Sequence, residues 1–420
     1  MRWGLWLCSL LSVQALANEA LQFSGFGSIG IVTTDSADFG YRRDYSRTTA
    51  VFDGQWDWRE HSNIGVQLDW AVSPQWDVVT QLHYRDQVDT DLNGLLNVGF
   101  VRYKPQPNFI FRAGRVPFDL FLMTEYRDVD YAYSFAKIPS EIYGIVPHRH
   151  LDGLDAEYLS RAADKTYSAK LFYGKTNAQI SADNTNSSRD FKMENVVGLV
   201  LAAESLDWEI AIHHTQVRFD NQYAKPLVDA VTSLEQIFPA FTVLWPDAQQ
   251  VISQLDLDNK TARYSSIGGQ LNVDNITIMS EIAYIRSASE TVHDVYSGYA
   301  GFISHQESWQ WFFNVGFAKT NRTDDLLNNA NVTGLAQFQP AFDTYQGARF
   351  LNDFYNMNQT TASIGARWNV TDAVALKVQW DHSWIRRQGS GFWQPPMTGG
   401  LATREPGEVN VLFLLTSFIF

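Results

Sequence analysis

What most limits the fold of this chain is the rhythm of its breaks. Segments in which apolar and polar residues alternate recur from end to end, and period two is the signature of a strand with two unlike faces. In 75–85, Trp76, Val78, Leu82 and Tyr84 share one face, and Gln75, Asp77, Gln81, His83 and Arg85 share the other. Segments 206–215, 308–318 and 374–384 alternate in the same way, while 94–104 reads in either register. Between segments the breaks are short and long in turn. The short ones are Ser73-Pro74, Pro105-Gln106-Pro107, Ala162 to Asp164, Ser205, Asp274, Glu307 and Thr371-Asp372. The long ones cover 34–60, 88–93, 116–151, 177–191, 220–259, 289–294, 321–356 and 388–408. Seven short turns and eight long loops connect sixteen strands and leave both termini at the short-turn end. An even-stranded antiparallel transmembrane barrel has this layout. A soluble sandwich gives no reason for it.

The two ends of the chain agree. Residues 1–17, MRWGLWLCSLLSVQALA, carry Arg2, an apolar stretch too short to span a bilayer, and a small-x-small close at Ala15-Leu16-Ala17. This is a secretory leader cut after Ala17, leaving 18–420 as one domain. Cys8, the single cysteine, leaves with it, so the exported chain uses no disulfide. The formal charge of −14 becomes −15 without Arg2, which argues against nucleic acid as a partner. No later apolar run is long enough for a membrane helix. The chain nonetheless ends in VLFLLTSFIF, where Leu412, Leu414, Phe418 and Phe420 share a face. An exposed end of this kind invites aggregation in water. As strand sixteen, Val409 to Phe420 closes against the first strand, Leu21 to Thr33, and a loop or subunit covers its apolar inner face. Trp70, Trp76, Trp208, Trp309 and Trp368 lie near short turns, with Trp380 and Trp384 toward the other end, as aromatic girdles require.

On these features the chain resembles the Gram-negative outer-membrane porins: leader, Phe-Ser-Gly-Phe-Gly opening strand, sixteen strands, long third loop and terminal phenylalanine. The resemblance implies an outer-membrane location among lipid and lipopolysaccharide, a homotrimer, and delivery to the barrel-insertion machinery through Phe420. It also implies a third loop folded into the lumen, passive diffusion of small hydrophilic solutes, and no enzymatic chemistry. An eighteen-stranded variant is the near alternative, since Thr48 to Trp58 offers additional strand.

Other motifs have plainer readings. Gly25 to Gly30 matches GxGxxG but sits within β-like sequence, so its glycines serve close packing at a seam or subunit contact. Asp89 to Gly94 opens like a calcium loop, yet its twelfth position is Phe100, and a polar turn is the better reading. His213 and His214 are adjacent on a strand and face opposite ways, and His148 and His150 have no evident third ligand, so neither metal nor cofactor is expected. A Ser–His–Asp set assembled from distant positions keeps a barrel enzyme open as an alternative. So does a closed structural or adhesin-like barrel with a filled lumen.

The third loop, Val116 to Leu151, is aromatic and poor in glycine, so disorder is not expected. Asp119, Glu125, Asp128, Asp130 and Glu141, with Arg127 among them, are its candidate constriction residues. Arg85, Arg112, Lys170, Arg367 and Lys377 lie on polar strand faces as the candidate wall. Acidic loop against basic wall would set a transverse field. Loop five, Asp220 to Asn259, is expected to form two short amphipathic helices broken near Pro239 and Pro246.

Overall fold

The computed structural model describes residues 20–47, 49–181, 188–321, 326–395 and 405–420; the leader at 1–17 lies outside them. Eight strands form the first half: β1 (Leu21–Thr34), β2 (Asn63–Ser73), β3 (Trp76–Arg85), β4 (Leu96–Gln106), β5 (Phe109–Pro117), β6 (His150–Ala162), β7 (Lys165–Ser181) and β8 (Ser188–Glu204). Eight more complete it: β9 (Trp208–Phe219), β10 (Thr261–Val273), β11 (Ile276–Ser287), β12 (Asp294–Gln306), β13 (Trp309–Asn321), β14 (Met357–Thr371), β15 (Val374–Ser390) and β16 (Gly407–Ile419). Each pairs antiparallel with its sequence neighbour, and β1 pairs with β16 from Phe26↔Ile419 to Thr34↔Val411, which closes the barrel. Among its described residues, the stretch expected to offer additional strand contributes only Trp56–Asp57, paired with Val32 and Thr33 of β1. It adds no stave, so the count of sixteen stands.

The short turns fall within a residue or two of their expected places. Ala163, Asp274 and Glu307 take φ of 56°, 51° and 49°, the left-handed conformation that two-residue hairpins demand. Segment 94–104, ambiguous in sequence, resolves with Val98 and Phe100 inward and Val101 outward.

The outer face is apolar. Ile29, Leu171, Ile282, Ile364 and Phe313 lie 62%, 59%, 56%, 54% and 49% exposed within a continuous band of aliphatic and aromatic side chains. Leaving each in water costs roughly 1.5–3 kcal/mol. Summed over the band, that cost exceeds the ~5–15 kcal/mol that holds a native fold together. A hydrocarbon surround removes it, and closure leaves no unpaired strand edge facing that surround. Trp309 stacks on Trp368 at 5.6 Å beside two short hairpins, while Trp380 and Trp384 stay outward nearer the other rim. No helix among the described residues is long and apolar enough to cross a membrane.

At the seam, Phe420 and Gly25 exchange backbone hydrogen bonds of 2.8 and 2.9 Å. A Cβ on Gly25 would meet the Phe420 ring at 2.2 Å, and one on Gly27 would meet the Phe418 ring at 2.7 Å. The glycine motif therefore makes room for the terminal phenylalanines. Inside, Val409, Val411, Phe413 and Leu415 are buried beneath loop one, with Tyr41 and His61 at 5.3 and 5.1 Å from the Phe413 ring. Loop cover thus explains the apolar inner face of the last strand.

Loop five forms three helices where two were expected: α1 (Lys225–Ile237), α2 (Phe241–Leu244) and α3 (Ala248–Leu255). They pack with α4 (Val332–Leu335) and α5 (Gln339–Asp353) of loop seven, where no helix is expected from the sequence. Trp245, Phe241, Leu335 and Ala341 form the core of this cap at the long-loop end. In loop two, Asp91 accepts from the amides of Asn93 and Gly94 at 2.7 and 3.0 Å and caps a single helical turn, Leu92–Leu95.

Candidate functional site: the barrel lumen

The third loop begins where β5 and β6 separate, at Val116↔Leu151 and Pro117↔His150. Its apolar side chains are aimed at inward strand residues. Phe118 meets Phe172 of β7, Phe121 meets Tyr264 of β10, and Phe135 meets Phe312 of β13, with ring centroids at 6.1, 5.6 and 5.0 Å. Polar contacts follow the same wall. Leu122 N donates to Glu281 of β11 at 3.3 Å, and Tyr143 Oη donates to the same carboxylate at 2.9 Å. Ser134 Oγ donates to Gln310 of β13 at 2.6 Å. Tyr131 Oη donates to the carbonyl of Asp372, in the β14–β15 hairpin, at 2.7 Å, so the segment reaches the short-turn end.

The charges are arranged differently from the expected pair of opposed rims. Asp119 lies 2.8 Å from Lys170 and 3.5 Å from His213, in contact and not across a gap. Burial would raise its carboxyl, but Lys170 and His213 hold it below its ordinary value. Arg127 is buried and donates to the carbonyl of His148. Glu141, also buried, accepts from Gln359 and Thr361 at 2.7 and 2.5 Å and meets no basic wall residue. Asp130 accepts from Ser28 and Asn63 at 2.6 and 2.7 Å. Arg367 donates to the carbonyls of Tyr131 and Tyr133 at 2.7 and 3.0 Å. Lys377 Nζ donates to the carbonyls of Asp130, Tyr133 (2.6 Å) and Phe135 (2.8 Å). These two wall cations hold loop backbone; they do not face open space. The physical reason is distance: a loop resting on its wall pairs its charges with it, because unpaired charge is costly away from bulk water.

Other candidates face space. Arg112 makes a two-oxygen pair with Asp155 at 2.9 Å and lies 3.5 Å from Glu125, whose side chain is 59% exposed. Arg85 lies 3.7 Å from Asp128 and 3.9 Å from Asp44. Arg149 bridges Asp128 at 2.7 Å and Asp44 at 3.0 Å. Burial acts to raise both loop carboxyls, yet these arginines hold them below their ordinary values.

Loop one was missed as a lumen element. Arg42 donates to the carbonyls of Phe392 and Gly391 at 3.3 and 3.1 Å, and Arg47 pairs with buried Glu60 at 2.6 Å. The run Tyr41-Arg42-Arg43-Asp44-Tyr45 is as aromatic and charged as the third loop, and that signal was available. Tyr45 packs on Tyr355 at 5.2 Å, and Tyr355 stacks near Phe191 of β8 at 6.3 Å. This aromatic bridge joins loop one to the far wall. The sector along β2–β6 is left to polar side chains. There Asn97 donates to Gln81 (2.7 Å), Gln81 to Gln67 (2.9 Å), and Gln67 to Asp69 (2.8 Å) in a track down the wall. Two cavities open on this sector and share His83, Arg85 and Arg149.

Among the described residues no group of three or more His, Cys, Asp or Glu is placed to hold a metal. Ser266, His213 and Asp119 do come together, at 3.3 and 3.5 Å. The Ser266 hydroxyl is buried and donates to the Leu120 carbonyl, so the trio sits as packing beneath the loop.

No protein-family model and no curated protein matches the sequence. Solved structures match over nearly the whole chain. The outer membrane channel DcaP of Acinetobacter baumannii is similar with a TM-score of 0.53 at 10% identity, covering 95% of this chain and 97% of that one. The anion-selective porin from Comamonas acidovorans gives 0.51 at 8% identity, covering 95% and 99%. The trimer form of OmpT, an outer membrane protein of Vibrio cholerae, gives 0.51 at 10% identity, covering 95% and 99%. At this identity the likeness shows the fold: a closed sixteen-stranded antiparallel barrel of the outer-membrane porin type.

Proposed function

We propose that this chain is an outer-membrane porin: a passive diffusion channel for small hydrophilic solutes or ions, constricted by its third loop. The observation that carries the reading is the opposition of the two barrel faces. Outside is an apolar band; inside, on the β2–β6 sector, are hydrogen-bonded amides and ion pairs around space. A barrel filled only for rigidity would gain nothing from so many desolvated charges, since apolar packing of the same volume is as stable or more so. On this reading Glu125, Asp128, Arg85 and Arg112 border the passage. Asp119, Arg127, Asp130, Glu141, Lys170, Arg367 and Lys377 hold the loop that defines it. The buried hydroxyl of Ser266 favours transport over covalent chemistry. Residues 1–17 direct export, Phe420 presents the last strand to the insertion machinery, and the barrel sits in lipid and lipopolysaccharide as a homotrimer. Residues 18–420 form its single domain.

Liposome swelling with uncharged sugars of increasing size tests the reading. Entry that falls steeply with solute size supports a narrow water-filled lumen. Liposomes holding folded protein that admit none of the sugars count against it.

A further inference from the structure

On β9, β10 and β11 the outward side chains change character row by row toward the long-loop end. Ile212, Ile267 and Ile282 are paired in register and exposed, one row of the apolar band. Two residues on along each strand stand His214, Ser265 and Tyr284. There His214 Nδ1 lies 2.8 Å from the Ser265 hydroxyl, and Tyr284 stacks on Tyr296 of β12 at 4.5 Å. Two further on stand Gln216, Arg263 and Arg286. The isoleucine and arginine rows are about 13 Å apart along the strand. Apolar, then aromatic and polar, then cationic is the order of a surface that passes from hydrocarbon to headgroups.

Arg263 and Arg286 are register partners, directly opposite on neighbouring strands, outward and exposed. Like charges placed in this way repel and destabilise the pairing. The carboxylates nearby leave the repulsion in place. Asp294 of β12 accepts from Tyr284 Oη at 2.9 Å and from Ser287 N at 2.8 Å, and it makes no ion pair with either arginine. Arg218, the next outward residue after Gln216, has Glu194 of β8 as its register partner, yet the two make no ion pair. Arg263 Nε donates to a neutral acceptor, Gln216 Oε1, at 2.9 Å. Arg286 has no hydrogen bond or ion pair among the described residues. Three guanidinium groups therefore lie on three adjacent strands without a bound carboxylate, on a chain whose formal charge is −14.

We infer that this patch seats a phosphate of an outer-leaflet lipid, between Arg263 and Arg286 with Arg218 beside them. Phosphate oxygens suit adjacent guanidinium forks, each of which offers parallel hydrogen bonds, and the bound anion cancels the repulsion between the arginines. The isoleucine row beneath gives the acyl chains of the same molecule a surface to cover, which a soluble anion would leave bare. The seat depends on the barrel lying in the outer membrane and not on conductance.

The test is native mass spectrometry of the purified protein, folded in a neutral maltoside detergent, with diphosphoryl lipid A, phosphatidylcholine or inorganic phosphate added. Lipid A is expected to stay bound, while phosphatidylcholine, whose phosphate carries its own cation, and inorganic phosphate are not. The double variant Arg263→Gln, Arg286→Gln is expected to weaken lipid A about tenfold or more, the scale of one charge-assisted hydrogen bond. Arg286→Gln alone weakens it less and serves if the double variant does not fold. Thermal midpoints separate a lipid seat from a structural role. Without lipid the variants should melt no lower than wild type, because the repulsion is relieved; with lipid A the wild type should gain more than they do. Wild type that holds no lipid A overturns the seat, as do folded variants that hold it equally well or that melt lower without lipid. Phosphatidylcholine or inorganic phosphate held as firmly as lipid A overturns the assignment to a lipid phosphate. Variants that lose their oligomeric state but keep lipid A make the patch a subunit contact and overturn it too. Lipid A bound to a protein that passes no current would leave the seat and remove the channel.

Discussion

Replacing Lys377 by methionine tests whether the third loop is a seated element or a permanent wall. Lys377 is 3% exposed, and its Nζ donates to three loop carbonyls, those of Asp130, Tyr133 and Phe135. A hydrogen bond to a charged group is worth about 1.5–3 kcal/mol. The three do not add fully, because the lysine gave up its own hydration and the freed carbonyls can reach lumen water. The substitution removes the charge and leaves neutral carbonyls behind, so about 1.5–3 kcal/mol for the set is the better measure. That moves the balance between seated and released loop by about one to two decades. Adding Arg367→Met removes the donors to Tyr131 and Tyr133 and compounds the shift. The assay is single-channel recording after a gel mobility shift on heating has shown the barrel folded. The single variant should flicker to a larger conductance, and the double variant should dwell there. Arg102→Met is the control, since Arg102 pairs with Asp77 at 2.9 Å and, among the described residues, makes no hydrogen bond or ion pair with the third loop. A folded double variant with wild-type conductance and open-channel noise would refute the anchoring argument.

Three further outcomes follow from the same geometry. His148 is buried against Phe191, and burial lowers its imidazole to about 4 from an ordinary value near 6.5. The folded state therefore binds the proton less readily, so its contribution is full above pH ~6.5 and is lost as pH falls toward 4, by up to about 3 kcal/mol; a urea midpoint that does not change over that window in wild type, or changes equally in His148→Asn, contradicts this. Gly27→Val places a Cβ 2.7 Å from the Phe418 ring and 2.9 Å from the Asn63 carbonyl, and overpacking of this kind costs about 1–3 kcal/mol. The yield of heat-modifiable barrel should drop, and an unchanged yield argues that the seam is looser than described. Arg112→Gln leaves Asp155, whose side chain is 2% exposed, without its two-oxygen partner, and the reversal potential in a salt gradient should move toward cations. No movement would place that pair away from the conducting path.

Alternation made the barrel legible because each strand separates lipid from lumen, and that contrast is written in every second residue. Turn positions were legible because two-residue hairpins admit little else. The lumen was harder. Alternation says that Arg367 and Lys377 point inward, but not that each meets loop carbonyls, since backbone acceptors leave no mark in a sequence. Asp119 and Lys170 are 51 positions apart and were expected to face each other; that they touch depends on how deeply the loop is seated. Helix α5 was overlooked because Gly347 interrupts its pattern, and it is completed only by packing on α1. Loop one carried a readable aromatic and arginine-rich run, but its place beneath the last strand needed the closed seam.

The most direct test of the account is a planar-bilayer recording of purified, folded protein with a salt gradient across the membrane. The account predicts discrete conductance steps, grouped in threes by a trimer, with a reversal potential away from zero. Protein shown to be folded and inserted that passes no current would contradict the central claim of a water-filled, constricted lumen.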